Sequence, residues 1–196
     1  MKICCTLSIA IVLLLCLSCA RNAQYEYCGE TFPYQFSQQK KYDFKFTPYF
    51  QQGLQCAQEQ HKPVLLVFSA TPELSKQYPF ESQLLQSSAI RTMLEEHYIV
   101  IYLNVDKETP LNSADSLDIR TIKPSIIQLK KPTTRGQLNT MIQYYTFQSN
   151  TVPSFFLLND QGKVLMREDE LSAKAYDPHV FLLKLQEGLH STEDRK

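Results

Sequence analysis

The chain has 196 residues, enough to bury one core without staples, and it balances 20 basic against 20 acidic side chains. If Lys2 is lost with a leader, 19 basic remain against 20 acidic, so there is no cationic footprint and nucleic acid is excluded as a partner. His61, His97, His179 and His190 are scattered and glycine occurs only five times, so neither a metal site nor a phosphate-cradling loop is expected, and no cofactor is implied.

Residues 1–19, "MKICCTLSIAIVLLLCLSC", carry Lys2, an unbroken apolar run from Ile9 to Leu17 and small residues after it, the layout of a secretory leader that is too short to span a membrane. Two cleavage chemistries fit its end. "CLSC" resembles the lipobox of bacterial lipoproteins, whose cysteine, here Cys19, is lipidated and becomes the anchor; "SCA" also permits ordinary cleavage after Ala20. Cys4, Cys5 and Cys16 leave with the leader and Cys19 is lipidated or lost, so Cys28 and Cys56 remain as thiols. They can pair in an oxidising compartment; alternatively, Cys56 is a small buried hydrophobe on a helix face.

Residues 20–41 form an aromatic extension: positions 25 to 50 hold ten of the 22 aromatic residues. Phe32, Tyr34 and Phe36, then Tyr42, Phe44 and Phe46, alternate at the strand period around "SQQKK", which predicts two strands. Their rings either cover a face of the protein's own sheet or lie across a partner subunit. Thr47 as N-cap and Pro48 at the first turn open an amphipathic helix with Phe50, Leu54 and Ala57 on one face. "KPVLLVF" then reads as a strand buried on both faces of a parallel sheet. After residues 68–81, "FSATPELSKQYPFE", Ser88 caps a helix bearing Ile90, Met93, Leu94 and His97, and "YIVIYLNV" is a second buried strand, implying a parallel crossover.

From Asp106 to Arg135 the periodicity fails, punctuated by Pro110, Pro124 and Pro132, with "SIIQL" a candidate short edge strand. This insertion reads as a solvated excursion, or as a partner surface carrying Arg120, Lys123, Lys130 and Lys131. A helix near Gln137–Phe147 follows. A hairpin then turns through Asn159, Asp160 and Gly162, and a last helix from Asp177 and Pro178 carries Leu182, Leu185 and Leu189 to residue 190, before the polar tail 191–196.

The order strand, helix, strand, helix, strand, long connection, helix, hairpin, helix is that of the thioredoxin fold, an α/β fold with a central mixed sheet flanked by helices. "FQQGLQCAQEQHKPVLLVF", "LNVDKETPL" and "TFQSNTVPSFFLLNDQGKVL", in that order and with "LLKLQEGL" at the end, make residues 42–190 resemble the C-terminal thioredoxin-like domain of bacterial thiol-disulfide interchange reductases. The resemblance implies a cis peptide bond at Val152–Pro153. It also implies a peptide-binding groove at Thr71, Pro72, Val152 and Pro153, where an extended chain pairs with backbone beside the proline. The same alignment puts Glu73 and Lys76 where the family has its C-x-x-C cysteines. Disulfide exchange needs a thiolate and a resolving thiol, and these two residues supply neither, so no catalytic residue is assigned. Glu73 then serves as a helix starter, worth roughly 0.3 to 1 kcal/mol at a surface.

Two functions follow. The first is a redox-inactive lipoprotein held through Cys19 at a bacterial envelope membrane, the outer membrane foremost, or soluble in the periplasm or secreted. It would bind or assemble other envelope and outer-membrane proteins. The second is a thiol-disulfide oxidoreductase that uses Cys28 and Cys56 in place of the missing pair.

Overall fold

The computed structural model describes residues 28, 30–37, 40–70, 86–167 and 177–193. The expected leader with Cys19, and the stretch with Thr71, Pro72, Glu73 and Lys76, lie outside the described residues.

Strand β1 (Glu30–Ser37) and strand β2 (Lys40–Phe46) form an antiparallel hairpin whose register sets Phe32 opposite Phe44 and Tyr34 opposite Tyr42. The hairpin stands on both sides of the boundary expected between residues 41 and 42, and it is a two-stranded sheet of its own. Helix α1 (Phe50–Gln60) follows, then β3 (Val64–Ser69), helix α2 (Ser88–His97) and β4 (Ile99–Asn104). A second sheet is ordered β4-β3-β5-β6, with β5 (Ser154–Leu158) and β6 (Val164–Met166). In it β3 and β4 are parallel, joined by the α2 crossover, whereas β5 is antiparallel to both β3 and β6.

The first strand of the expected sheet survives as one contact. Thr47 bridges Ile101 in parallel: its N–H donates to the Val100 carbonyl at 2.8 Å, and its carbonyl accepts the Tyr102 N–H at 3.0 Å. With that bridge counted, the order first-β4-β3-β5-β6 and its strand directions are those of the thioredoxin fold. β2 pairs with β1 instead, so that strand leaves β4 before Thr47.

Every residue of β3 is buried, which its continuous apolar run required. Val64, Leu66 and Phe68 pack beneath α1 and helix α5 (Arg135–Phe147), beside Phe147 and Phe156. Leu65 and Val67 pack on the other face beneath α2 and helix α6 (Pro178–Glu193), beside Phe155, Phe181 and Leu185. Helix α6 runs past the expected end of the domain at residue 190, and Tyr98 fixes it by donating its hydroxyl to the Leu185 carbonyl at 2.6 Å. Burial raises the pKa of that phenol, so the donor stays protonated. Helix α2 starts at Ser88 with Ser87, one residue earlier than expected, accepting the Ile90 N–H, and His97 ends it. The last hairpin turns on Asn159, whose Oδ1 accepts from Gln161 and Lys163 N–H, and on Gly162 at φ 77°.

Residues 106–135 are neither a solvated excursion nor an edge strand. Short helices α3 (Ser116–Thr121) and α4 (Pro124–Leu129) fold there, and "SIIQL" lies within α4 with Pro124 at its first turn. Ile122 is buried in the main core, with Ile119, Ile126 and Ile127 packed against it. The ends of the segment are stitched by Leu111 N–H to the Thr133 carbonyl, Arg135 N–H to Thr109 and Gly136 N–H to Lys107. Pro124 was read as punctuation, although a proline at the start of a helix costs no hydrogen bond.

Gly136 shows how closely those ends meet. A Cβ built there would lie 2.6 Å from the Lys107 nitrogen and 2.8 Å from the Val105 oxygen, whereas at Gly53 it would meet only the Ile101 side chain. Backbone cannot step aside as a side chain can. Gly136→Ala is expected to destabilise by more than the roughly 1 to 3 kcal/mol typical of overpacking, and by more than Gly53→Ala. Urea unfolding of both variants measures the order; equal losses would show that the two approaches are alike.

Candidate functional site

Three places combine polar groups with a defined setting. The first is the end of the sheet where the groove was expected. The Val152–Pro153 peptide is cis, as the resemblance implied. Both residues are half-buried at the start of β5, and the register of β5 on β3 sets Ser154 opposite Phe68, so this loop lies at the C-terminal end of β3. The preceding turn is held by α5. Gln148, at φ 55°, ends the helix, the Ser149 N–H returns to the Gln143 carbonyl, and buried Gln143 donates through Nε2 to the Thr151 carbonyl at 2.7 Å and to Ser154 Oγ at 3.0 Å. The loop is therefore positioned from inside, leaving Thr151 exposed. The structure places Val152 and Pro153 side by side; whether Thr71 and Pro72 join them lies outside the described residues.

The second place was missed from sequence. Asp118 and Asp115 are buried carboxylates beside a buried arginine, Arg135. Asp118 Oδ2 accepts the Phe50 N–H at 3.1 Å and Oδ1 the Gln51 N–H at 2.7 Å, so the cap of α1 comes from about seventy residues away. Thr47 does not cap it; its backbone is spent on β4, and the N-cap position is Tyr49 without a side-chain bond. Arg135 stacks its guanidinium 3.8 Å above the Tyr49 ring, donates to the Pro48 carbonyl at 3.1 Å and approaches Asp115 Oδ1 at 2.5 Å. Asp115 Oδ2 accepts the Asn112 N–H at 2.7 Å. Paired carboxylates are general acid-base candidates in a cleft, but here Asp118 is 1 % exposed, Asp115 is 0 % exposed and their oxygens face backbone N–H groups and Arg135, so the cluster latches the insertion to α1. Its one signal in the sequence is that Asp118 is the sole acidic residue from Ser116 to Phe147.

The third place is the disulfide. Cys28 and Cys56 are bonded, with Cα atoms 5.6 Å apart. Cys56 is buried on α1 and Cys28 half-buried, and of the two readings of Cys56 it is the pairing, not the unpaired buried thiol, that the structure has. The bond lies near the N-terminal ends of β3 and β4, at the opposite end of the sheet from Pro153. Among the described residues no three His, Cys, Asp or Glu side chains gather as a metal site requires.

No protein-family description matches the chain, and no curated protein matches it. Solved structures do. One described as a DsbH oxidoreductase is 15 % identical over 80 % of this chain and 94 % of that one, with a TM-score of 0.48. A disulphide isomerase from Xylella fastidiosa Temecula1 is 16 % identical over 70 % and 86 %, at 0.41. A thioredoxin-fold protein from Helicobacter pylori is 14 % identical over 70 % and 88 %, at 0.28. The fold assignment rests on the strand order and directions given above.

Burial raises the pKa of Asp118, opposed by its bonds from Gln51 and Phe50 and by Arg135 and reinforced by Asp115. With the folded value above the unfolded one, the folded chain holds the extra proton. The contribution of Asp118 to stability is therefore largest in acid and declines as pH rises from the ordinary carboxylate range through the folded value. The wild-type advantage over Asp118→Asn should shrink along that rise, and Asp118→Ala, which orphans two helix N–H groups, should cost about 1 to 3 kcal/mol. Urea denaturation across acidic to neutral pH reads both; an advantage over the asparagine variant that grew with pH would show that the N–H groups outweigh burial.

Proposed function

We propose that this chain is a redox-inactive thioredoxin-like envelope lipoprotein, anchored through Cys19, that acts as a protein-binding or assembly subunit of a membrane-associated complex. The observation that carries the reading is the fate of the cysteines: once the leader and Cys19 are set aside, two remain, and they are bonded to each other at the far end of the sheet from Pro153. A dithiol beside the cis-proline has no sulfur left to build it. What that end offers is backbone: a loop locked by Gln143, with Val152 half-buried and Thr151 exposed, suited to pairing with an extended peptide from another envelope or outer-membrane protein.

Two experiments test it. Val152→Asp and Pro153→Ala in a folded protein should each release partners that co-purify from the native envelope; retention of every partner by both would move binding elsewhere. The unmodified protein should also lack thiol-dependent reductase activity, while Glu73→Cys with Lys76→Cys should create a reversible dithiol in a glutathione redox series, since two cysteines separated by two other residues can reach bridging distance, as in the C-x-x-C pair. Two engineered thiols unable to pair would show that the alignment of this stretch is wrong.

A second reading, exchange through Cys28 and Cys56, has one observation in its favour: Cys28 lines a cavity. It lacks C-x-x-C activation, and Cys56 is buried. A reduction potential far below the compartment poise would mark the bond as structural. Reductase activity that vanished with Cys28→Ser would install the second reading instead.

A further inference from the structure

Where β2 peels away from β4, the fold leaves a cavity of about 460 Å³. Its size is that of a ligand pocket, and its origin is the missing pairing of the first strand. Three kinds of wall meet in it. Phe46 and Leu94 supply apolar surface, Lys45 and Lys62 supply two ammonium groups against the single carboxylate of Glu95, and Tyr98, Ile99 and Val100 supply the edge of β4.

That edge carries the chemistry that selects a ligand. Odd-numbered residues of β4 turn their backbone groups toward β3, as Ile99 N–H does to Pro63, so even-numbered ones face outward. Thr47 takes the Val100 carbonyl and the Tyr102 N–H. One step earlier on the same edge stand the Tyr98 carbonyl and the Val100 N–H, and among the described residues no backbone group of β2 reaches them. An acceptor and a donor two residues apart on a strand edge are what one residue of an added extended chain satisfies.

We propose that this cavity is a ligand site, separate from the groove at Pro153, for a short extended peptide segment bearing a carboxylate. The peptide backbone would pair with Tyr98 and Val100, an apolar side chain would lie against Phe46 and Leu94, and the carboxylate would sit between Lys45 and Lys62. A carboxylate can come from a chain terminus or from an acidic side chain. A fatty acid would use the lysines and the apolar wall but leave the strand edge unmet.

The test is a titration of the intact, oxidised protein, followed by amide chemical shifts and calorimetry. Four probes are used: acetyl-Gly-Val-Gly with a free carboxylate, the same peptide amidated, amidated acetyl-Glu-Val-Gly, and octanoate. The Val100 amide should shift with one or both carboxylate-bearing peptides, and which of them binds identifies the source. The neutral amidated peptide should bind more weakly by about tenfold or more, the scale of one charge-assisted hydrogen bond. Lys45→Glu with Lys62→Glu, both changes outside the core, should weaken the charged peptides to a similar degree, while Val152→Asp should leave binding unchanged. Silence of Val100 toward every peptide, or octanoate binding as tightly as the peptides, would overturn the proposal. So would indifference of the charged peptides to the lysine reversals.

Discussion

One buried carboxylate holds three separate parts of this chain together. Asp118 belongs to the insertion, the N–H groups it accepts belong to α1, and the arginine beside it begins α5. A helix start exposes N–H groups that need acceptors, and in α1 the residues before Phe50 do not supply them: the Thr47 hydroxyl makes no hydrogen bond, Pro48 has no side-chain acceptor and Tyr49 makes no side-chain cap. The insertion supplies what the local sequence lacks. Its position is then fixed, and so is that of Arg135, which spans Pro48, Tyr49 and Asp115. Desolvating two carboxylates and a guanidinium is expensive, and the compensation lies in hydrogen bonds and ion contacts made from several elements at once.

Because the insertion is tied down from beneath, its cations are left at the surface. Arg120, Lys123, Lys130 and Lys131 are all exposed, while Asp118 is buried. The opposite end of the molecule is built differently. There the disulfide joins the chain just before β1 to the second half of α1, and its Cys28 lines the cavity beside the splayed strand. The two ends of β3 thus carry unlike chemistry. The C-terminal end offers a loop locked by Gln143, and the N-terminal end offers a strand edge with a cationic rim.

Much of this was legible from residue patterns, and the failures share a cause. Val64–Ser69 announced a two-sided buried strand because every residue is apolar or small, and Asn159 with Gly162 announced a turn because few other residues bond or bend that way. The C-terminal hairpin and the parallel crossover followed from those elements. The cap of α1 was misread because Thr47-Pro48 imitates a local solution, and nothing near it reveals a partner about seventy residues on. The insertion was misread because Pro124 breaks the run of Ile119, Ile122, Ile126 and Ile127 into two short helices, each too brief for its period to stand out. The thioredoxin order puts the strand of Tyr42, Phe44 and Phe46 first in the main sheet, yet that strand pairs with β1, which is nearer along the chain than β4. The carboxylate cluster and the cavity share that origin, since both are created by contacts between distant segments.

The same competition explains what kind of surface this fold can offer without thiols. In an open α/β sheet the side-chain chemistry gathers at the C-terminal ends of the parallel strands, and here no cysteine follows Cys56 in the sequence, so what the described part of that end offers is the backbone at Val152 and Pro153. At the other end, diverting the first strand into a hairpin removes several ladder bonds from β4, a cost borne by the edge groups of Tyr98 and Val100 and offset by the β1–β2 pairing. A strand edge left unpaired beside a partly open cavity is an unstable arrangement for an isolated polar backbone, because N–H and C=O groups seek partners. Water can meet that need, and so can another chain, but only another chain also covers Phe46 and Leu94. The preference for a peptide over solvent therefore comes from the apolar wall, and the preference among peptides comes from Lys45 and Lys62.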